Sequence, residues 1–161
     1  MYESLEDLRN LTFLPVGLLR DGDLYLSLAA TEPLNVEMGR VPAYRFDMHL
    51  RGIRRPVGGI SLRIANTAHI VNYLGHIGYH VEPAYRGRHL AARSCRLLVP
   101  LARQHGLNPI WITCNPDNWA SRRTCELAGA YLVEIVNVPP DNPIYIGGEP
   151  QKCRYRLDTM A

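Results

Sequence analysis

The stretch VEPAYRGRHLAARSC, residues 81–95, holds the residue types best suited to gripping an anion. A strand-like run ending at Val81 meets a proline, then an Arg-Gly-Arg-His turn, then a helix-like run that opens with small residues. A chain that turns sharply through Gly87 into a helix leaves its first backbone N–H groups unpaired and pointing one way, and the helix dipole adds positive potential there. Gly87, Ala91 and Ala92 keep side-chain bulk out of that space, so Arg86 to Ala91 reads as a cradle for a phosphate or pyrophosphate. Small residues also open helices that bind nothing, and that alternative stands on this stretch alone. Neither GxxxxGK[ST] nor GxGxxG is present, which sets aside a P-loop and a dinucleotide fingerprint.

Proton-transfer groups lie just upstream. His76 and His80 share one side of the same strand by two-residue alternation, and Glu82 follows it. An imidazole has an ordinary pKa near 6.5, suited to taking a proton at neutral pH; a strand histidine that packs or bonds a neighbour is the alternative. Tyr73 and Tyr79 read as core residues. The four cysteines, Cys95, Cys114, Cys125 and Cys153, form no CxxC pair or Cys/His ladder, so no metal and no disulfide framework is expected. Reduced thiols fit a cytoplasmic protein.

These residues need a scaffold. With 161 residues, 47% of them apolar, the chain has the length of one domain spanning 1–161. A net charge of +3 does not call for nucleic acid or membrane as a partner, although Arg86, Arg88, Arg93, Arg96 and Arg103 fall in a stretch without acids. That cluster is either a local anion site or a solvated helix face. No apolar run approaches the roughly 18 residues that span a bilayer, and the charged start lacks a signal-peptide core. Residues 4–11 could make a short helix. Strands are expected at 24–30, 43–50, 57–65, 75–81, 108–114, 131–138 and 152–157. One helix is expected from Leu90, kinked at Pro100 but not ended there, with Leu90, Leu97, Leu98 and Leu101 inward and Arg93, Arg96 and Arg103 outward. A second runs from about Trp119 to Ala128, capped by Asp117 or Asn118 and closed by Gly129. The order implies an α/β (α+β) fold: a mixed sheet with a parallel pair in its middle.

VEPAYRGRHLA resembles the acetyl-CoA signature of the GNAT superfamily of N-acetyltransferases, a strand and proline followed by R-x-x-G-x-G/A and a helix. NPDNWASRRTCELAGA resembles the family's second signature, in the right order about 30 residues on. The likeness covers roughly residues 41–158 and is nearest to a small bacterial subgroup with GHIGYHV, ITCNPDN and a terminal QKC. It implies a mostly antiparallel, twisted sheet with a splayed central parallel pair and two principal helices. It further implies transfer of acetyl from acetyl-CoA to a primary amine by direct attack on the thioester. The amides of Arg86, Gly87, Arg88, His89, Leu90 and Ala91 would hold the pyrophosphate, Val81 the pantetheine arm, and Asn118 the cofactor from the second helix. Two positions depart from the pattern. His89 replaces a glycine and is expected to hold an ordinary helical conformation, and Cys125 stands where a tyrosine often protonates the thiolate. Cys125 is thus a candidate acid or a core residue, and His76 or Glu82 a candidate base. The acceptor is a small-molecule or peptide amine, and a homodimer is possible. A non-catalytic acyl-CoA-binding domain and a basic nucleic-acid-binding module are the alternatives. Only TEPLNVEMGRVP separates two early strands, too short for the helix pair that usually covers the acceptor, so the loop PPDNPIYIGGEPQ is expected to cover that side, with Tyr145 as a contact surface.

Overall fold

Alternating apolar and polar side chains give the amino-terminal half its sheet. In the computed structural model, which describes residues 1–160, strands β1 (Leu19–Asp21), β2 (Leu24–Glu32), β3 (Ala43–Leu50), β4 (Gly58–Arg63) and β5 (Ile77–Val81) lie in that order, each antiparallel to the next. Gly22, at φ 60°, makes the two-residue turn between β1 and β2 that a side chain would strain. Leu24, Leu26, Tyr44, Phe46, Met48, Ile60 and Leu62 project into the core. The three-residue β1 escaped the sequence reading because LRD is too short to show alternation.

A second antiparallel sheet holds β6 (Ile110–Cys114), β7 (Tyr131–Asn137) and β8 (Gln151–Leu157) in the order β6–β8–β7. Helices α1 (Leu90–Gln104) and α2 (Trp119–Leu127) follow β5 and β6, and a single turn, α3 (Pro143–Ile146), interrupts the late loop. One buried cluster runs from Leu24 and Phe46 through Leu98 and Cys125 to Tyr155, joining both sheets and both long helices. The expected mostly antiparallel sheet with a splayed central pair is present as two antiparallel sheets that meet at β5 and β6. Residues 4–11 form one short 3-10 turn, Glu6–Leu8.

Helix α1 continues through Pro100, whose missing N–H leaves the carbonyl of exposed Arg96 to solvent. Its arginines lie on the outward face as expected, Arg96 and Arg103 exposed and Arg93 half-buried, and each also bonds another part of the fold. Arg93 pairs with Asp21 and Asp23, both at 2.8 Å, on either side of the β1–β2 turn. Arg96 donates to the Leu127 carbonyl at 2.6 Å and Arg103 to that of Thr159 at 3.0 Å. Three side chains thus tether α1 to three other parts of the fold. Between β2 and β3 the chain makes only the small bridge of Asn35 with Arg40 and no helix.

Candidate active site

The two sheets are joined at one point and part from there. His76 donates its backbone N–H to the Trp111 carbonyl at 2.7 Å, and the Trp111 N–H is accepted by Nδ1 of the His76 ring, not by a strand carbonyl, at 2.9 Å. With a ring where a strand carbonyl would sit, the backbone ladder between the two strands stops after a single bond. Gly75, at φ 81°, admits this approach, because a Cβ there would stand 2.9 Å from the Trp111 carbonyl oxygen. Thr113 holds the preceding turn down by donating to the carbonyls of Tyr73 (2.8 Å) and Leu74 (3.0 Å). Beyond this point β5 and β6 diverge, and a cleft of about 710 Å³ opens between them, with Gly78 to Val81 on one wall and Thr113 to Asn115 on the other.

The β4–β5 register decides which edge of β5 faces the cleft. Arg63 N–H bonds the His76 carbonyl and Glu82 N–H the Val57 carbonyl, so the His76 carbonyl, the backbone groups of residues 78 and 80 and the Glu82 N–H face β4, while the His76 N–H alone crosses to Trp111. By alternation, Ile77, Tyr79 and Val81 turn theirs toward the cleft, where no strand meets them. The Val81 carbonyl is taken by Nε of Arg86 at 3.0 Å.

At the far end of the cleft stands the predicted cradle. Val81, Arg86, Gly87, His89, Leu90, Ala91 and Asn118 all line it, while Arg88 instead reaches over the ring of Tyr85. Gly87 has φ 86°, and His89 has φ 57° and ψ 28°. The expectation of an ordinary helical His89 is corrected: the turn needs a left-handed residue immediately before the helix, and histidine adopts it at a cost of about 1 kcal/mol. His89 supplies no side-chain cap to α1. By contrast α2 is capped, Asn118 Oδ1 accepting from the Ser121 N–H at 3.1 Å. The first residues of α1, Leu90 and Ala91, line the cleft, and their N–H groups have no partner within the helix.

The proton-transfer candidates are placed as follows. His76 is fully buried, its Nε2 bonded to Asn66 Oδ1 at 2.9 Å and its Nδ1 to Trp111, so neither nitrogen is free. Burial takes its pKa down to about 4, opposed by a backbone hydrogen bond at Ala65 and helped by the Arg63 charge. His80 lines the cleft; Glu82 is exposed and does not. Cys125 lies wholly in the core, its pKa pushed up by the Cys114 thiol and by burial. Three cleft residues escaped the sequence reading. Ser121 Oγ meets the Tyr79 hydroxyl at 2.5 Å, where burial pushes the phenol's pKa up. Cys114 faces the cleft, its thiolate favoured by Cys125. Arg63 lies across β5, its Nη2 3.1 Å from where a Cβ on Gly78 would stand. An asparagine followed three residues later by serine was the only sequence signal for Ser121.

The late loop closes one side. Asn142 caps α3 by accepting from the Ile144 N–H at 2.9 Å, and its Nδ2 meets His69 Nδ1 at 3.3 Å. Ile144, Glu149 and Lys152 line the cleft, while Tyr145 is exposed and does not. A second cavity of about 680 Å³ lies beyond Arg63 and Leu74, which line both.

Residues 27–130 match the sequence model of a family described as acetyltransferase (GNAT) domain. No curated protein matches the chain. Among solved structures it is similar to the microcin C7 self-immunity acetyltransferase in complex with acetyl-CoA and AMP, at 19% identity and a TM-score of 0.55, covering 72% of this chain and 61% of that one. It is also similar to a ribosomal L7/L12 alpha-N-protein acetyltransferase bound to coenzyme A (14% identity, TM-score 0.61, 88% and 98% covered). A ribosomal-protein-S5-alanine acetyltransferase from Vibrio fischeri is a third (17%, 0.58, 73% and 62%). The chain thus spans about three fifths of the first and third. At these identities the likeness is one of fold.

Proposed function

Because the chain belongs to the GNAT acetyltransferase family, we propose that its cleft holds acetyl-CoA and delivers the acetyl group to a primary amine by direct attack on the thioester. The observation that carries this reading is the continuity of the cleft, which runs from the uncapped start of α1 to the unpaired edge of β5. The pyrophosphate meets the amides from Arg86 to Ala91. The pantetheine amides pair with the free backbone groups of Tyr79 and the free N–H of Val81, whose carbonyl Arg86 already holds, as an added strand would. Two solved neighbours hold coenzyme A or acetyl-CoA, which supports the same choice of ligand.

The chemistry needs no nucleophilic side chain. The amine nitrogen attacks the thioester carbon, the C–S bond breaks, the sulfur takes a proton and the nitrogen loses one. Bringing the partners together supplies most of the rate. His76 has no free nitrogen, so it holds the strands and does not act as the base; Glu82 stands outside the cleft. The acceptor reacts as its free amine and passes its proton to solvent through the second cavity. On the leaving side, the Ser121–Tyr79 hydroxyl pair is the donor, in place of buried Cys125.

A thermal melt with coenzyme A tests the binding step. Ligand at one hundred times its dissociation constant should add about 2.7 kcal/mol, and Ala91→Glu, which puts charge and bulk into the cradle, should abolish the gain. No shift for the unaltered protein would defeat the reading. A mass-shift screen of amines with acetyl-CoA then separates an enzyme from an acyl-CoA-binding domain. Against the nucleic-acid alternative, Arg93, Arg96 and Arg103 each bond another part of the fold. Four free cysteines support a reducing, cytoplasmic setting. Self-association is supported by β7, an edge strand whose Leu132, Val133 and Ile135 are exposed.

A further inference from the structure

Resting on that reading, we infer that the acceptor is an amine that also carries an anionic group, which Arg63 grips at the junction of the two cavities. The acceptor must reach the thioester from the side opposite the cradle, and the second cavity opens there through the shared wall of Arg63 and Leu74. Its charged and titratable lining is Glu3, Glu32, Arg40, Arg63 and His69.

Both acids are already engaged. Glu3 Oε1 accepts from the Asn66 N–H at 2.6 Å, and Glu32 pairs with Arg45 at 3.1 Å. His69 is bonded to Asn142, and burial and the Arg63 charge together favour its neutral form. The cations are not engaged in this way. Among the described residues, Arg63 makes one side-chain hydrogen bond, from Nη1 to the Gly75 carbonyl at 3.0 Å, and no ion pair. Arg40, at the rim, has no side-chain partner among them. Glu32 is near enough to favour the charge on Arg63 but forms no contact with it.

A half-buried guanidinium with most of its donors unused is incompletely solvated, and a carboxylate or phosphate oxygen pair offsets that cost through parallel charge-assisted bonds. Gly78 leaves room for it, since any Cβ would crowd Nη2. The unpaired charges here are two guanidinium groups, Arg40 and Arg63, against the one carboxylate of Glu3, so an amino acid or an amino phosphate is favoured over a polycationic acceptor.

The test uses matched amine pairs: free amino acids against their amides, and phosphoethanolamine against ethanolamine, each with acetyl-CoA. The unaltered protein should favour the anionic member of at least one pair by about tenfold or more in kcat/KM, as expected for bonds between charged groups. The pair concerned tells carboxylate from phosphate. Arg63→Met should erase the preference while the coenzyme A melting shift persists, and Arg63→Lys should keep part of it. Preference for the neutral or cationic members overturns the inference, as does a preference that survives Arg63→Met. Loss of the coenzyme A shift in the unaltered protein instead overturns the parent reading, and this one with it.

Discussion

His76 shows how one side chain can define a cleft without touching what the cleft binds. It accepts from Trp111 and bonds Asn66 deep inside the protein, so its neutral form is required. With the folded pKa pulled to about 4, the unfolded chain binds the proton more readily between that value and 6.5. The stabilisation is complete above about pH 6.5, falls as pH drops through that window, and is gone below pH 4; it amounts to about 3 kcal/mol. Melts from pH 8 to pH 4 should show this loss, and His76→Gln should remove most of the slope. An unchanged slope would sink the wedge role. A second residue-scale expectation concerns the leaving thiolate. Ser121→Ala should lower kcat about 100-fold with the coenzyme A shift intact, and Cys125→Ser should be mild because the thiol is in the core. The reverse ranking, read from steady-state kinetics, would restore Cys125 as the acid.

At the scale of elements, β5 is a strand used on both edges. One edge is spent on β4 and the other waits for the ligand. Amide exchange should therefore alternate along it. Without ligand, Ile77, Tyr79 and Val81 should exchange faster than Gly78 and His80, and coenzyme A should slow Tyr79 or Val81 most. Uniform protection along β5 in the free protein would show that the cleft edge is closed. The late loop behaves as its prolines and glycines suggest, a shaped excursion anchored by Asn142 on His69, but its contribution to the cleft comes from Ile144 and Glu149 and not from Tyr145.

For the whole molecule, the missing helix pair between β2 and β3 leaves an acceptor side bounded by a loop, an arginine and the amino-terminal segment around Glu3. The other end of the molecule shows an apolar edge on β7, with Leu132, Val133 and Ile135 each 39% to 47% exposed. Bare apolar edges favour pairing with another strand. Sedimentation of the purified protein should give a mass that rises with concentration toward a dimer, and Ile135→Lys should hold it at one chain. A single mass for both proteins at all concentrations would remove the expectation.

The features legible in the sequence are those set by near neighbours along the chain. Alternation at 24–30, and apolar runs bounded by glycine and proline breakers elsewhere, located seven of the eight strands. Capping chemistry at Asn118 and Gly129 bounded α2, and the small residues after Gly87 marked a helix start open to an anion. What the sequence could not decide were the partners. Whether Arg93 faces water or two aspartates depends on the packing of α1 against a hairpin about 70 residues away. Whether His76 gives up a nitrogen to a substrate or to Trp111 depends on the register in which two sheets meet. His89 had to be left-handed because the turn, not the residue, fixes its backbone angle. Arg63, silent in sequence as one more arginine at a strand end, acquires meaning only because folding sets it over Gly78 with no carboxylate bonded to it. Local pattern can specify an element, but a side chain's role follows from what the tertiary fold places, or fails to place, within hydrogen-bond reach.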